Sequence, residues 1–108
     1  MSTLRAKNRS EITSPILIKD LTPLVDEVEN MEMQNKVFDS VRRYGLIEPL
    51  AVLSLPEMLR VDKGCNRLRA AQELGYTHID CNVYDDWDSL FKASEVQRKR
   101  SKAWRDTK

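Results

Sequence analysis

With 108 residues, the chain has room for one domain with a single core of modest size. Its composition, 41% hydrophobic and 32% charged, is typical of a globular chain, and no apolar run approaches the roughly 20 residues of a membrane helix. The net charge of +1 excludes a chain that is basic throughout. The N-terminus lacks the apolar segment of a signal peptide, so a cytoplasmic protein is predicted.

The first part of the chain predicts one strand and one long helix. Residues 1–12 are polar and basic without periodicity, and we interpret them as a flexible leader. The apolar, β-branched run at residues 15–18 predicts a strand, and residues 20–23 predict a turn. From Met31, apolar residues recur at helical spacing up to Gly45, where the helix is expected to end.

The middle of the chain predicts a β-hairpin followed by a second helix. Residues 50–53 and residues 58–61 bracket a four-residue loop that contains proline, as expected for a hairpin. The second helix is expected to begin near Cys65 or Asn66 and to stop at Gly75.

A further strand and a third helix complete the predicted domain. Residues 79–83 alternate apolar and polar side chains, which predicts a half-buried strand with Asp80 and Asn82 on its polar face. Residues 85–86 supply an N-cap for the third helix. The apolar face of this helix is expected to carry Trp87, Leu90 and Phe91.

The predicted order β, α, β, β, α, β, α indicates a small α/β fold, of the α+β kind, with a mixed sheet. The domain is expected to cover residues 13–91, after the leader at residues 1–12. Residues 92–108 form a basic C-terminal tail that is compatible with a helix but offers few apolar anchors, so the tail is expected to become ordered on a partner.

The turn before the second helix combines features that bind anions. Gly64 permits a positive φ and close approach of the backbone, and the first N–H groups of a helix lack intrahelical partners. The helix dipole adds partial positive charge there, and Arg67 can direct its guanidinium to the same anion. A tight turn followed by a surface arginine explains the same residues, and the pattern taken alone slightly favours that simpler interpretation.

Two blocks of sequence, residues 37–53 and residues 64–75, resemble the N-terminal domain of the ParB/sulfiredoxin superfamily. The first is similar to its segment of helix, Gly-Leu, proline and strand, and the second to its Gly-x-x-Arg-x-x-Ala phosphate motif. The resemblance covers residues 15–91 and implies a ParB/sulfiredoxin-like fold that binds a nucleoside triphosphate with magnesium. The nucleotide or phosphate site that it implies consists of Gly64, Cys65, Asn66, Arg67, Glu48 and Pro49.

Two branches of this superfamily differ at Cys65 and Asn66. Sulfiredoxins carry Gly-Cys-His-Arg with the cysteine as nucleophile, whereas this chain has Asn66 in the place of the histidine. The rest of the helix, residues 68–75, is more similar to ParB. We therefore favour a ParB-type nucleotide-binding domain, with nucleotide hydrolysis left open, over a sulfiredoxin-like enzyme in which Cys65 is catalytic.

Two more alternatives remain open. The acids Asp85, Asp86 and Asp88 can hold a divalent cation, as a metal-dependent DNA nuclease of the ParB-like nuclease domain family requires, although an N-cap with favourable dipole charges is the interpretation that the pattern favours. A degenerate scaffold would keep the fold only for contacts with a protein partner or a second copy. The two cysteines lack the spacing of a zinc site, so no protein metal site is predicted, and a bacterial or phage source fits the chain.

The basic tail is the segment that best fits nucleic acid. Residues 92–108 carry seven basic side chains against two acids, whereas residues 12–91 carry eight against fourteen, so attraction to DNA phosphates must come chiefly from this end. A solvated, charged end explains the tail about as well. The residues predicted to contact nucleic acid are Arg98, Lys99, Arg100, Lys102, Trp104 and Arg105.

Overall fold

The computed structural model describes residues 2–24 and 30–106, and it describes the side chains of these residues except for 101 and 103–106. The elements in chain order are β1 (Thr3–Leu4), β2 (Thr13–Leu17), a 3-10 turn (Ile18–Asp20), β3 (Leu21–Pro23), α1 (Met31–Tyr44), β4 (Leu50–Ser54), β5 (Leu59–Lys63), α2 (Cys65–Glu73), β6 (His78–Tyr84) and α3 (Trp87–Asp106). The predicted α/β fold is confirmed, and each predicted helix and strand has its counterpart.

The strands form one mixed sheet in the order β1-β6-β4-β5-β3. β4 and β5 are the antiparallel arms of the predicted hairpin, and β6 joins β4 in parallel after the chain has crossed over through α2. β2 pairs antiparallel with β6, whereas β1 pairs with it in parallel. β3 extends the other edge beside β5, where the sequence predicts only a turn, because three residues are too few to reveal an alternation.

The main core lies between the sheet and the packed pair α1 and α2. Val41 of α1 and Leu68 of α2 are buried against Leu50, Val52 and Ile79 of the sheet. Fully burying a side chain of this size contributes roughly 1.5–3 kcal/mol. This packing fixes the turn between β5 and α2 beside the loop that leads from α1 into β4.

The opposite face of the sheet is also buried, which corrects the half-buried strand predicted at residues 79–83. Asp80 and Asn82 are 0% and 5% exposed. The Asp80 carboxylate forms an ion pair with Arg9 at 3.3 Å, and the Asn82 side-chain oxygen accepts the Thr13 hydroxyl at 2.6 Å. Both polar side chains are therefore buried together with partners that other segments supply.

Residues 3–9 are part of the folded domain and differ in this respect from the flexible leader predicted over residues 1–12, because residues 3–4 form β1 and both Leu4 and Ala6 belong to the main core. Leu4 and Ala6 are 4% and 5% exposed. The Ala6 N–H donates to the Asp80 carboxylate at 2.8 Å. No periodic pattern marks this segment, because only a few side chains of so short a segment face the core.

α3 covers the rest of the second face, chiefly through Leu90, which is fully buried. Trp87 and Phe91 were expected on the same buried face but are 52% and 41% exposed, and their rings stack with centroids 4.9 Å apart. The backbone stays helical to Asp106, so α3 includes most of the predicted tail. Within the described ranges, no helix is both long and apolar enough to cross a membrane.

Candidate functional site

The turn between β5 and α2 is shaped around Gly64. This residue directly precedes α2 with a φ of +106°, in the left-handed region that favours glycine. A Cβ atom on Gly64 would overlap Cδ2 of Leu50 and lie 3.1 Å from Nη2 of Arg67. The guanidinium of Arg67 therefore lies directly against the glycine backbone, where a side chain at this position would interfere with it.

The first turn of α2 presents main-chain donors next to this glycine. The Leu68 N–H donates to the Gly64 carbonyl at 2.8 Å, which is the first hydrogen bond of the helix. The N–H groups of Cys65, Asn66 and Arg67 precede that bond, and no described side chain caps them. Together with the positive end of the helix dipole, these donors favour a bound anion.

Arg67 connects this turn to the loop between α1 and β4. Its Nη1 donates to the main-chain oxygen of Glu48 at 3.0 Å, which brings Glu48 and Pro49 to the predicted site. Burial lowers the pKa of the Arg67 guanidinium, and the charge of Glu48 opposes that effect. Since arginine stays charged at neutral pH, and no carboxylate of the described residues forms an ion pair with it, the turn holds a partly desolvated cation.

The side chain of Glu48 joins three segments of the chain. Its carboxylate is only 2% exposed and accepts Nε and Nη2 of Arg100, each at 2.7 Å. It also accepts Nδ2 of Asn8 at 2.9 Å. Arg100 lies 52 residues from Glu48 along the chain, and Asn8 lies 40 residues from it. The family motif marks Glu48 in the sequence, but no local pattern marks Asn8 as its partner. The carboxylate is thus engaged inside the protein, while the carbonyl of the same residue holds Arg67.

Gln34 is a neighbour of the site that the sequence does not single out. It lies near the start of α1, is 5% exposed, and donates from Nε2 to the main-chain oxygen of Asn66 at 3.0 Å. Its Oε1 has no hydrogen-bond donor among the described residues. A polar residue in the first turn of an amphipathic helix is ordinarily exposed, so no sequence signal marks it.

The two cysteines lie in different environments. The half-buried Cys65 thiol lies in the predicted site and donates to the main-chain oxygen of Val61 at 3.2 Å. Cys81 is fully buried, and burial, reinforced by the charge of Asp80, raises the pKa of its thiol to about 12. Cys81 is therefore an inert core residue, and a nucleophilic role for Cys65 stays a prediction.

The residues predicted to contact nucleic acid lie along the second half of α3, and one of them, Arg100, reaches Glu48 beside this turn. Those with described side chains are all exposed and are Arg98, Lys99, Arg100 and Lys102. Arg98 pairs with Glu95 at 2.9 Å, and Arg100 pairs with Glu48. The backbone of Trp104 and Arg105 continues α3, but their side chains lie outside the part of the chain that the structure describes.

The acidic cluster at the start of α3 contains a helix cap. The carboxylate of Asp86 accepts the Ser89 N–H at 2.8 Å and the Ser89 hydroxyl at 3.0 Å, and these bonds lower the pKa of Asp86. Asp85 and Asp88 beside it are exposed. Over residues 2–24 and 30–106, no group of three or more histidine, cysteine or acidic side chains is arranged to hold a metal ion.

The fold and the turn together define a small α/β domain in which a glycine, three uncapped N–H groups and an arginine lie side by side. Residues 5–94 match the family model of the ParB N-terminal domain, so the chain belongs to that family. Among curated proteins, none matches the sequence.

Solved structures of the same fold come from proteins of different function. Sulfiredoxin from Arabidopsis thaliana is 19% identical with a TM-score of 0.60, and the match covers 75% of this chain and 93% of that one. The C-terminally truncated chromosome-partitioning protein ParB from Caulobacter crescentus, complexed with CTP-gamma-S, is 20% identical with a TM-score of 0.62, and the match covers 80% of this chain and 52% of ParB. A free serine kinase in complex with AMP is 17% identical with a TM-score of 0.61, at 79% and 37% coverage.

The resemblance to the ParB/sulfiredoxin superfamily is therefore confirmed. At these identities the structural matches show the fold alone. The chain also spans only about half of the ParB structure and little more than a third of the kinase.

Proposed function

We propose that this domain binds a nucleotide through its phosphates at the turn of residues 64–67, with magnesium on the phosphate oxygens. The observation that carries the proposal is the state of Arg67. Its guanidinium is partly desolvated, lies against Gly64, donates to the Glu48 carbonyl and pairs with no described carboxylate. A phosphate at the adjacent N–H groups would give this cation an anionic partner in charge-assisted hydrogen bonds.

The related structures support this choice of ligand. The ParB structure contains CTP-gamma-S, and the kinase structure contains AMP, on the same fold as this chain. The turn described here supplies groups of the kind that bind the phosphate part of such ligands, namely main-chain N–H donors at a helix start and an arginine.

Nucleotide binding should raise the thermal stability of the protein, and Arg67→Ala should reduce that effect. A nucleotide that binds only the folded state raises the free energy of unfolding by about 2.7 kcal/mol when its free concentration is a hundred times its dissociation constant. The measurement is a thermal-unfolding panel of ATP, CTP, GTP and UTP, each with and without magnesium, followed by titration calorimetry of the nucleotide that stabilises most. Arg67→Ala removes the cation at the turn, so its affinity should fall at least tenfold.

The matched control is Arg42→Ala on α1. Arg42 is exposed and pairs with Asp39 at 2.8 Å, so its replacement removes the same charge away from the turn. This variant should bind nucleotide like the unaltered protein. Equal affinity of the Arg67 and Arg42 variants would place the ligand elsewhere, and the absence of a shift with every nucleotide would favour a scaffold that only contacts proteins.

We also propose that the second half of α3 contacts DNA through its basic face. Lys99 and Lys102 are three residues apart, and both are exposed. Neither forms an ion pair with an acid of the described residues. Residues with this spacing are neighbours on a helix surface, so both ammonium groups can approach one DNA backbone. A related ParB structure is a complex with the centromeric parS site, which supports DNA as the class of partner.

Replacing both lysines, as Lys99→Ala with Lys102→Ala, should weaken DNA binding and reduce its dependence on salt. Each lost phosphate contact reduces the steepness of log affinity against log salt concentration by about 0.9. The slope measured for the double variant should therefore be shallower by roughly 1.8. Fluorescence anisotropy with a labelled duplex across a salt series measures this slope. The control, Lys36→Ala with Arg43→Ala, removes two charges from α1, and an equal loss there would attribute the effect to net charge rather than to α3.

A further inference from the structure

Two aromatic rings lie exposed at the start of α3. Trp87 and Phe91 are 52% and 41% exposed, although large apolar side chains ordinarily cover a core. Their ring centroids are 4.9 Å apart and the ring planes are inclined by 23°, so each ring covers part of one face of the other. Leu90 takes the buried side of the helix instead. The two rings are therefore an aromatic pair that the domain leaves substantially in contact with water.

The same side of α3 carries two positive charges further along the helix. Arg98 follows Phe91 by seven residues, and Lys102 follows it by eleven. At about 100° of rotation per residue, these two positions and the two rings lie within about 60° of one another around the helix. Together they form what we call the aromatic-basic face of α3. Arg98 pairs with Glu95 at 2.9 Å, and so exposed a pair is weak enough to be exchanged for another anion.

The charges along α3 favour a polyanion as the partner of this face. Residues 92–102 carry five basic side chains against one acid, and Arg100 is the member of this set that Glu48 engages internally. A second copy of the chain docked through the same face would bring like charges together. A phosphate backbone complements them instead and is attracted along the whole segment.

The rings decide which form of DNA fits the face. In a duplex the bases are paired and stacked on one another, so a protein ring cannot reach their faces. The bases of a single strand are accessible, and an aromatic ring stacks with any of them while nearby cations neutralise the phosphates. We propose that Trp87 and Phe91 form a platform on which bases of single-stranded DNA stack, with the strand continuing toward Arg98 and Lys102.

This inference rests on the proposed contact of α3 with DNA and names the form of DNA that the helix prefers. Lys102 belongs to the aromatic-basic face and also, with Lys99, to the pair that would approach a duplex. Phe91 and Lys102 are separated by about 16 Å along the helix axis, so a strand that reaches from the rings to the cations spans several nucleotides.

The variant that tests the platform is Trp87→Leu with Phe91→Leu, which keeps apolar side chains but removes both rings. Tyr44→Leu is the matched control, because it removes a ring that is 52% exposed on α1 instead. Fluorescence anisotropy would compare a labelled thymidine oligonucleotide of about 20 nucleotides with a duplex of the same length. The ring variant should lose at least about tenfold in affinity for the single strand, as the loss of a stacked base predicts, and stay within about twofold for the duplex. Tyr44→Leu should change neither affinity.

The dependence on salt separates stacking from charge. Stacking releases no counterions, so the ring variant should bind the single strand more weakly with an unchanged slope of log affinity against log salt concentration. Lys99→Ala with Lys102→Ala should instead make that slope shallower, because it removes phosphate contacts.

The fluorescence of Trp87 gives a test in which both rings are kept. The chain has two tryptophans, so Trp104→Phe leaves Trp87 as the single emitter. Stacking on a base quenches the emission of tryptophan. The emission of Trp87 should therefore fall when the single strand binds and change little when the duplex binds.

Three results would overturn the inference. Equal losses of affinity for the single strand and the duplex in the ring variant would make the rings a structural support of α3. Unchanged affinity of that variant for the single strand, or unquenched emission of Trp87, would show that no base stacks there. Self-association of the unaltered protein in sedimentation velocity that the ring variant abolishes would assign the rings to an interface between copies of the chain. Failure of the unaltered protein to bind either DNA would instead refute the proposed contact of α3 with DNA, together with this inference.

Discussion

Gly64→Ala should destabilise the folded protein by about 2–5 kcal/mol and abolish nucleotide binding. A left-handed backbone costs a residue with a Cβ about 1–2 kcal/mol, and the φ of Gly64 is +106°. The new methyl group would also overlap Leu50, which is fully buried and cannot move aside freely, and overpacking of this kind costs about 1–3 kcal/mol. Urea unfolding followed by circular dichroism measures the change in the free energy of unfolding.

Gly75, which also has a positive φ, separates the conformational cost from the cost of overlap with Leu50. Gly75→Ala introduces a Cβ at a φ of +85° with no heavy atom within 4 Å, so it should cost only the conformational part, about 1–2 kcal/mol. Gly75 ends α2 rather than beginning it, so nucleotide binding should persist in that variant. Equal destabilisation by the two substitutions would show that the contact with Leu50 relaxes at no cost.

The part of the site that lies on one continuous stretch of chain was accessible from the sequence. A strand, a glycine and a helix with an arginine in its first turn are local features, and helix geometry dictates which N–H groups stay free. The family motif then linked this stretch to Glu48 and Pro49. In the structure the two stretches are in contact, because Arg67 donates to the Glu48 carbonyl, while their joint role as a binding site stays a prediction.

The parts that remained hidden depend on contacts between distant segments. Alternation in β6 marks Asp80 as polar but cannot reveal that Ala6 and Arg9 bond to it and keep it buried. Gln34 occupies a polar position of α1 that would be exposed on an isolated helix, and it is buried only because α1 packs on α2. Trp87 and Phe91 are the reverse case, because they were predicted to be buried and are exposed. A stripe of apolar residues along a helix does not show how wide a part of that stripe the sheet covers.

Glu48 links the candidate site to the basic half of α3. The carbonyl of this residue holds Arg67, while its buried carboxylate holds Arg100 and Asn8. Two 2.7 Å bonds to one guanidinium form a bidentate pair, the strongest geometry available to these groups. The C-terminal half of α3 is therefore fastened to the loop that supports Arg67, and this attachment can be measured separately from any ligand.

Arg100→Ala should destabilise the protein by about 1–3 kcal/mol, because it leaves the Glu48 carboxylate buried with only Asn8 as a described partner. Removing one partner of a fully buried ion pair costs about 3–5 kcal/mol. The Arg100 side chain is 49% exposed, so water can enter beside Glu48 and reduce the loss. Besides urea unfolding, hydrogen exchange should show faster exchange of the amides at residues 96–103, since this part of α3 loses its anchor.

Arg98→Ala provides the matched control on the same helix. Arg98 pairs with Glu95 at 2.9 Å, but the two side chains are 70% and 38% exposed, and pairs of this kind contribute less than about 1 kcal/mol. Both substitutions remove one positive charge and one arginine from α3, so they differ chiefly in the burial of the partner carboxylate. Arg98→Ala should change the free energy of unfolding by no more than about 0.5 kcal/mol and leave exchange at residues 96–103 nearly unaltered. If the two variants were equally stable and exchanged equally fast, the pair between Arg100 and Glu48 would not anchor α3.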